Sequence, residues 1–86
     1  MANWVIKIAP KARKVLEWLP NKDHRLISEA FDNMTADPFS GDIVRLHSER
    51  SEWRRRVGNY RIFFDVETSV HIVDVVEIDR RTSNTY

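Results

Sequence analysis

Residues 53–66 read WRRRVGNYRIFFDV, and this stretch decides the fold because it holds two strands and the turn between them. Tyr60–Val66 is rich in β-branched and aromatic residues, which favour strands, and its alternate positions are uniformly apolar. Gly58-Asn59 is a dipeptide typical of a tight hairpin turn. A second strand is predicted on the other side of the turn, over Glu52–Val57. The stretch therefore predicts an antiparallel β-hairpin.

Three further strands are predicted outside this hairpin. They are Asn3–Ala9, Ile43–His47 and Val70–Ile78. Residues 35–42, TADPFSGD, have the composition of a turn, and residues 67–69 join the last two strands.

Two helices are predicted between the first strand and the turn at residues 35–42. Pro10 suits the first turn of a helix that ends at Pro20. Asn21 can cap a second helix, whose apolar stripe runs to Met34. The order β-α-α-β-β-β-β predicts an α+β fold. A two-helix antiparallel hairpin packs in it on a mostly antiparallel sheet of about four to five strands.

The composition indicates one small soluble domain. A chain of 86 residues has room for a single core, so residues 1–86 are predicted to form one domain with an exposed basic tail at 79–86. The sequence has no cysteine, which excludes disulfides and thiolate metal sites and fits a cytoplasmic location. No signal peptide is recognisable, and no apolar stretch reaches the roughly 20 residues of a membrane span.

The basic residues are unevenly distributed along the chain. All four lysines lie at or before Lys22, whereas eight of the ten arginines lie at or after Arg45. Arginine presents a planar fork that matches the oxygens of a phosphate. Two interpretations stay open: the arginines recognise an oxyanion, or they pair with the eight acids between Asp42 and Asp79.

Period-two geometry predicts a basic face on the sheet. The apolar positions of the hairpin should meet the helices, and the charged positions should lie on the opposite, open face. The charged residues predicted on the open face are Glu52, Arg54, Arg56, Arg61 and Asp65. Cross-strand ion pairs on a solvated face are one interpretation. We favour a binding surface, because several converging arginines repel one another without an anionic partner. Arg55 falls on the core side, unless a bulge turns it outward.

The end of the chain adds candidates for contact with a nucleic acid. Arg80 and Arg81 follow the last predicted strand, and Tyr86 closes the chain. A terminal tyrosine can stack on a nucleobase, or it can pack on the edge of the domain.

Residues 53–66 and the ending VVEIDRRTSNTY at residues 75–86 resemble the RelE/ParE superfamily of bacterial toxins. The order of elements is also similar, so the resemblance covers essentially the whole chain and implies a RelE-like fold. RelE-type members cleave messenger RNA in the ribosomal A site without a metal or another cofactor. The ribose 2′-hydroxyl attacks the adjacent phosphate in that reaction and leaves a 2′,3′-cyclic end.

The resemblance also implies roles for individual residues. Arg61 matches the arginine that holds the scissile phosphate, and Arg80 matches one that stabilises charge and assists the leaving group. Tyr86 matches an aromatic residue that orients a nucleotide by stacking. Arg54 falls where RelE carries a lysine implicated in proton transfer. The remaining basic residues assigned to RNA binding are Arg56 and Arg81.

The general base is not identified by the resemblance. Arginine stays protonated in proteins and is a poor base, so Arg54 does not replace a lysine in that role. Glu52 is the more plausible base, and His47 and His71 are alternatives, although a lone histidine on a strand is more often structural.

Partners and rival functions follow from the same resemblance. A cognate antitoxin, mRNA and the ribosomal A site are the expected partners, and neither a membrane nor a small-molecule cofactor is expected. The first alternative is a ParE-like inhibitor of DNA gyrase without nuclease activity. The second is an RNA-binding module that does not catalyse.

Overall fold

The computed structural model describes residues 3–80 as a five-stranded sheet with two helices. The elements are β1 (Val5–Ile8), α1 (Pro10–Trp18), α2 (Asn21–Ala36), β2 (Asp42–Arg45), β3 (Trp53–Val57), β4 (Tyr60–Glu67) and β5 (Ile72–Arg80). The strand order is β1-β5-β4-β3-β2; β1 runs parallel to β5 and the other neighbours are antiparallel. The predicted α+β fold, with a helical hairpin on a mostly antiparallel sheet, is confirmed.

Prolines set the limits of the two helices. Pro10 occupies the first turn of α1, where its missing N–H is not needed. α1 ends at Trp18, and Pro20 adopts the extended conformation that precedes α2. Pro20 is therefore the cap residue, and Asn21, predicted to be the cap, is the first residue of the helix. The prediction failed because the ring of proline already fixes that backbone conformation.

The core lies between the helices and one face of the sheet. Tyr60, Ile62 and Phe64 of β4 are fully buried in it, together with Ile27 and Met34 of α2. This confirms the predicted alternation of β4, in which every second side chain meets the helices. None of the helices among residues 3–80 has the length and hydropathy needed to cross a membrane.

β5 is displaced along the chain from its predicted bounds. Val70 lies in the turn between β4 and β5, where His71 has a φ of 55°. The strand consequently begins at Ile72 rather than at Val70. It extends through Asp79 and Arg80, which were predicted to begin the exposed tail, because both have ladder partners on β4.

Candidate functional site

The β3–β4 hairpin brings three arginines together on the open face of the sheet. Arg56 lies directly opposite Arg61, and Arg54 lies opposite Phe63. Gly58 permits the tight turn through a φ of 58°. Residues directly opposite in an antiparallel pair have Cβ atoms about 5 Å apart, so Arg56 and Arg61 are close neighbours of like charge. We call Arg54, Arg56 and Arg61 the arginine face. The register agrees with the prediction from the sequence that these three residues lie on one face of the hairpin.

For Arg54 and Arg56, the ion pairs that were considered as an alternative do not form within residues 3–80. Within residues 3–80, neither Arg54 nor Arg56 has a carboxylate in ion-pair distance, and the Arg54 Nε is buried without a hydrogen-bond partner. Glu52 pairs instead with Arg45 of β2, at 2.6 Å between Oε2 and Nη2. The Asp65 carboxylate accepts a hydrogen bond of 2.6 Å from the backbone N–H of Glu52.

The structure places the proposed bases away from the pair that Arg56 and Arg61 form. The backbone N–H of Glu52 donates to Asp65, which lies four residues from Arg61 along β4, or about 13 Å at the usual rise of a strand. His47 lines an open depression beside Glu52. His71 stacks on Trp4, with 4.5 Å between the ring centroids, at the turn before β5.

An arginine that was not singled out in the sequence does reach the open face. Arg50, in the loop between β2 and β3, pairs with Glu77 at 3.3 Å and with Asp79 at 3.1 Å. Its guanidinium carbon lies 4.4 Å from the ring centroid of Phe63. In the ladder, Asp79 is opposite Arg61 and Glu77 is opposite Phe63. No local pattern in the sequence singles out Arg50, because it lies in a polar turn with no strand periodicity.

Arg80 lies on the other side of the sheet. It is opposite Tyr60, whose side chain is buried among the helices, and it lines a largely apolar groove with Trp18 and Leu19. The structure therefore does not place the Arg80 side chain beside Arg61. The other predicted contacts at the chain end, Arg81 and Tyr86, lie outside the described residues.

Arg55 is held on the core side by the turn before β2. Its side chain is 7% exposed, and Nη1 donates to the carbonyl oxygen of Ser40 at 2.8 Å and to the Ser40 hydroxyl at 3.0 Å. Burial lowers the pKa of the guanidinium. Gly41 has a φ of 84°, and a Cβ there would lie 2.6 Å from the Arg55 Cζ. Arg55 therefore anchors this turn and does not belong to the arginine face.

Ionisable side chains at the far end of the open face form a separate acidic group. The neighbouring carboxyl group of Asp74 raises the pKa of Glu67. Among residues 3–80, no group of three or more histidine and acidic side chains is arranged to hold a metal ion.

Comparison with known proteins identifies the family. The family model described as "ParE toxin of type II toxin-antitoxin system, parDE" matches residues 6–85. No curated protein matches at a significant level.

The fold resembles solved RelE structures. The archaeal RelE–RelB complex from Pyrococcus horikoshii has a TM-score of 0.80 and 22% identity, covering 98% of this chain and 100% of that chain. The RelBE2 complex from Mycobacterium tuberculosis has a TM-score of 0.78 and 22% identity, covering 92% of this chain and 99% of that chain. Isolated RelE from E. coli has a TM-score of 0.76 and 12% identity, covering 94% of this chain and 87% of that chain.

These structures show a common fold, and the family model spans nearly the whole sequence. The resemblance to the RelE/ParE superfamily is thus confirmed, and the chain belongs to the ParE toxin family of type II toxin–antitoxin systems.

Proposed function

We propose that this toxin binds an RNA backbone on the arginine face and cleaves mRNA in the ribosomal A site without a metal. The register that sets Arg56 opposite Arg61 is the observation that carries the proposal. Like charges directly opposite in a sheet are unfavourable, and a bound phosphate removes that repulsion. Arg54 lies on the same face, and its own guanidinium has no acidic partner among residues 3–80.

The reaction is attack of a ribose 2′-hydroxyl on the adjacent phosphate. The O2′–P bond forms, the P–O5′ bond breaks, and the products carry a 2′,3′-cyclic phosphate and a 5′-hydroxyl. Cationic donors already in place stabilise the charge that develops on the phosphate oxygens. Arg61 lies on β4, the central strand of the sheet, with Arg56 across the ladder, and the resemblance assigns it to the scissile phosphate. The bidentate fork of arginine holds two oxygens of one phosphate.

Other roles in the proposal come from the resemblance alone. Arg80 stabilises the leaving group, Arg81 contacts the backbone, and Tyr86 stacks on a nucleotide. To reach the same phosphate as Arg61, the Arg80 side chain has to pass around the end of β5 from the helix side of the sheet. The proton acceptor is a group other than arginine, and the Glu52 carboxylate would have to leave its ion pair with Arg45 to act as one.

An antitoxin is proposed as the physiological partner. The solved complexes from Pyrococcus horikoshii and Mycobacterium tuberculosis contain such partners on the same fold. A protein that cleaves translated mRNA acts in the cytoplasm, and the antitoxin keeps it inactive there.

Primer extension on a reporter mRNA after a short pulse of expression tests the nuclease. The wild-type chain should produce new 5′ ends within translated codons. Arg61→Ala should lose two to three orders of magnitude in rate, as expected for removal of one preorganised donor. Arg45→Ala is the matched control, because Arg45 has a carboxylate partner and lies on the outer strand β2. Cleavage that persists in Arg61→Ala would refute the proposal.

Inhibition of DNA gyrase is a second candidate, favoured by the description of the matching family as ParE. Growth arrest with intact mRNA, together with loss of supercoiling activity in a gyrase assay, would establish this alternative. A non-catalytic RNA-binding module would instead bind RNA with a strong dependence on salt and yield no cyclic phosphate.

A further inference from the structure

Phe63 is an aromatic residue buried outside the core. Of the buried hydrophobic side chains among residues 3–80, it is the one that does not join the core cluster. Alternation along β4 puts it on the open face, between its ladder partners Arg54 and Glu77, and yet only 7% of the residue is exposed. A polar group must therefore cover an apolar ring on the solvent side of the sheet.

Arg50 supplies this cover. Its guanidinium carbon stands 4.4 Å from the centroid of the Phe63 ring, within the range of a cation–π contact. Ion pairs with Glu77 and Asp79 hold the guanidinium in place. The Arg50 side chain remains 46% exposed, so it covers the ring from the solvent side.

The loop that carries Arg50 is attached at its base and through this one side chain. The backbone N–H of Leu46 donates to the carbonyl oxygen of Glu52 at 2.7 Å, which closes the base of the loop. At the tip, the backbone N–H of Arg50 bonds to Ser48 within the loop itself. The hydrogen bonds and ion pairs from residues 47–50 to the sheet, within the described part of the chain, all come from the Arg50 side chain. Arg50 can therefore leave the ring without disrupting a strand.

We propose that Phe63 is a stacking site for one nucleobase of single-stranded RNA, and that Arg50 closes this site in the free protein. The proposal rests on the RNA-binding function of the arginine face. Phe63 lies two residues from Arg61 along β4, about 7 Å, so a nucleotide whose phosphate contacts Arg61 has its base within reach of the ring. Every base has a π-face, so stacking on Phe63 is tolerant of sequence.

Arg50 lowers the affinity of the Phe63 ring for a base. The base has to displace a guanidinium from the ring, whereas a phosphate on the arginine face does not. The site therefore opens for a strand that is already bound through its backbone. While the site is closed, Arg50 pairs with Glu77 and Asp79, and Lys11 also pairs with Glu77 at 3.6 Å. These pairs reduce the repulsion between the two carboxylates and the RNA.

The test compares two oligonucleotides that differ only in their bases. One is a fluorescent hexamer of 2′-O-methyluridine, which lacks the attacking hydroxyl and is not cleaved. The other has the same backbone without bases. Because both carry the same phosphates, the ratio of the two dissociation constants reports on base contacts alone. The measurements use the full chain with Tyr86→Leu, which removes the other proposed stacking residue.

The parent should bind the base-bearing strand at least about fivefold more tightly than the abasic one, the lower end for stacking on one aromatic residue. Phe63→Leu should reduce the ratio to about 1 while circular dichroism stays unchanged, because Phe63 lies outside the core. Arg50→Ala should raise the ratio, since the ring is then open, even if both strands bind more weakly. Trp18→Leu removes an aromatic residue that is 81% exposed on the helix side, and the ratio should not change.

Each other outcome overturns the inference. A parent ratio near 1, or a ratio that Phe63→Leu leaves unchanged, would show that the ring does not bind a base, and the arginine face would be unaffected by that result. An unchanged ratio in Arg50→Ala would show that Arg50 does not close the site. A parent that binds neither strand would refute the proposed function as well.

Discussion

The two arginines that face each other across the hairpin predict a trade-off between stability and RNA binding. Arg56→Gln removes one charge opposite Arg61 and keeps a side chain of similar length. Two unit charges about 5 Å apart in water repel by about 0.8 kcal/mol. Because Arg56 is exposed to solvent, dissolved salt screens this repulsion and makes it smaller. We therefore expect the free energy of unfolding to stay constant or rise by up to about 0.5 kcal/mol. RNA affinity should fall, with a salt dependence less steep by about 0.7 for the lost phosphate contact.

Urea unfolding and fluorescence anisotropy with a non-cleavable RNA measure the two effects on the same samples. The stability gain should vanish in about 0.5 M NaCl, where charges several ångströms apart are largely screened. Arg45→Gln is the control: it breaks the 2.6 Å contact with Glu52, so it should lower stability by up to about 1 kcal/mol and leave RNA affinity unchanged. The reasoning is refuted if Arg56→Gln destabilises the fold by 1 kcal/mol or more and does not weaken RNA binding.

Three further predictions concern single residues. Burial and the hydrogen bond to Asp23 raise the pKa of Tyr60 in the folded state, so its stabilisation is complete below the unfolded pKa of about 10 and is lost as the pH rises above it. Tyr60→Phe should cost about 1 kcal/mol at pH 7 and flatten the alkaline loss of stability in urea titrations, and an equally steep loss would contradict this. Gly41→Ala should cost about 1–2 kcal/mol, because its φ is 84° and the new Cβ would meet Arg55; an unchanged urea midpoint would contradict this. Arg80→Ala should reduce mRNA cleavage less than Arg61→Ala does, because Arg80 lies on the helix side of the sheet. Equal losses of cleavage in primer extension would contradict this.

Much of the fold could be predicted from the sequence because its hydrophobic pattern is strong. Alternation in residues 60–66 fixed which side chains meet the helices, and a two-residue turn at Gly58-Asn59 fixed the register of Arg56 with Arg61. The boundaries were less accurate where a backbone conformation overrode composition. Val70 has a β-branched side chain typical of a strand, yet it lies in the turn in which His71 adopts a positive φ.

The candidate site was predictable where it depends on one hairpin and not where it depends on distant segments. Arg50 meets Glu77 and Asp79 through a loop whose path has no sequence period. The resemblance implies that Arg80 stabilises charge at the reacting phosphate, whereas strand alternation through the end of β5 places it on the face opposite Arg61. That alternation could have been read from the sequence if the strand had been extended by two residues.

Analysis of the RNA ends produced by the purified toxin on programmed ribosomes tests the central claim most directly. The account predicts that the wild-type chain leaves a 2′,3′-cyclic phosphate and a 5′-hydroxyl at a codon in the A site, and that Arg61→Ala leaves the mRNA intact while keeping its circular dichroism spectrum. Intact mRNA with the wild-type chain, or the same cleavage products with Arg61→Ala, would contradict it.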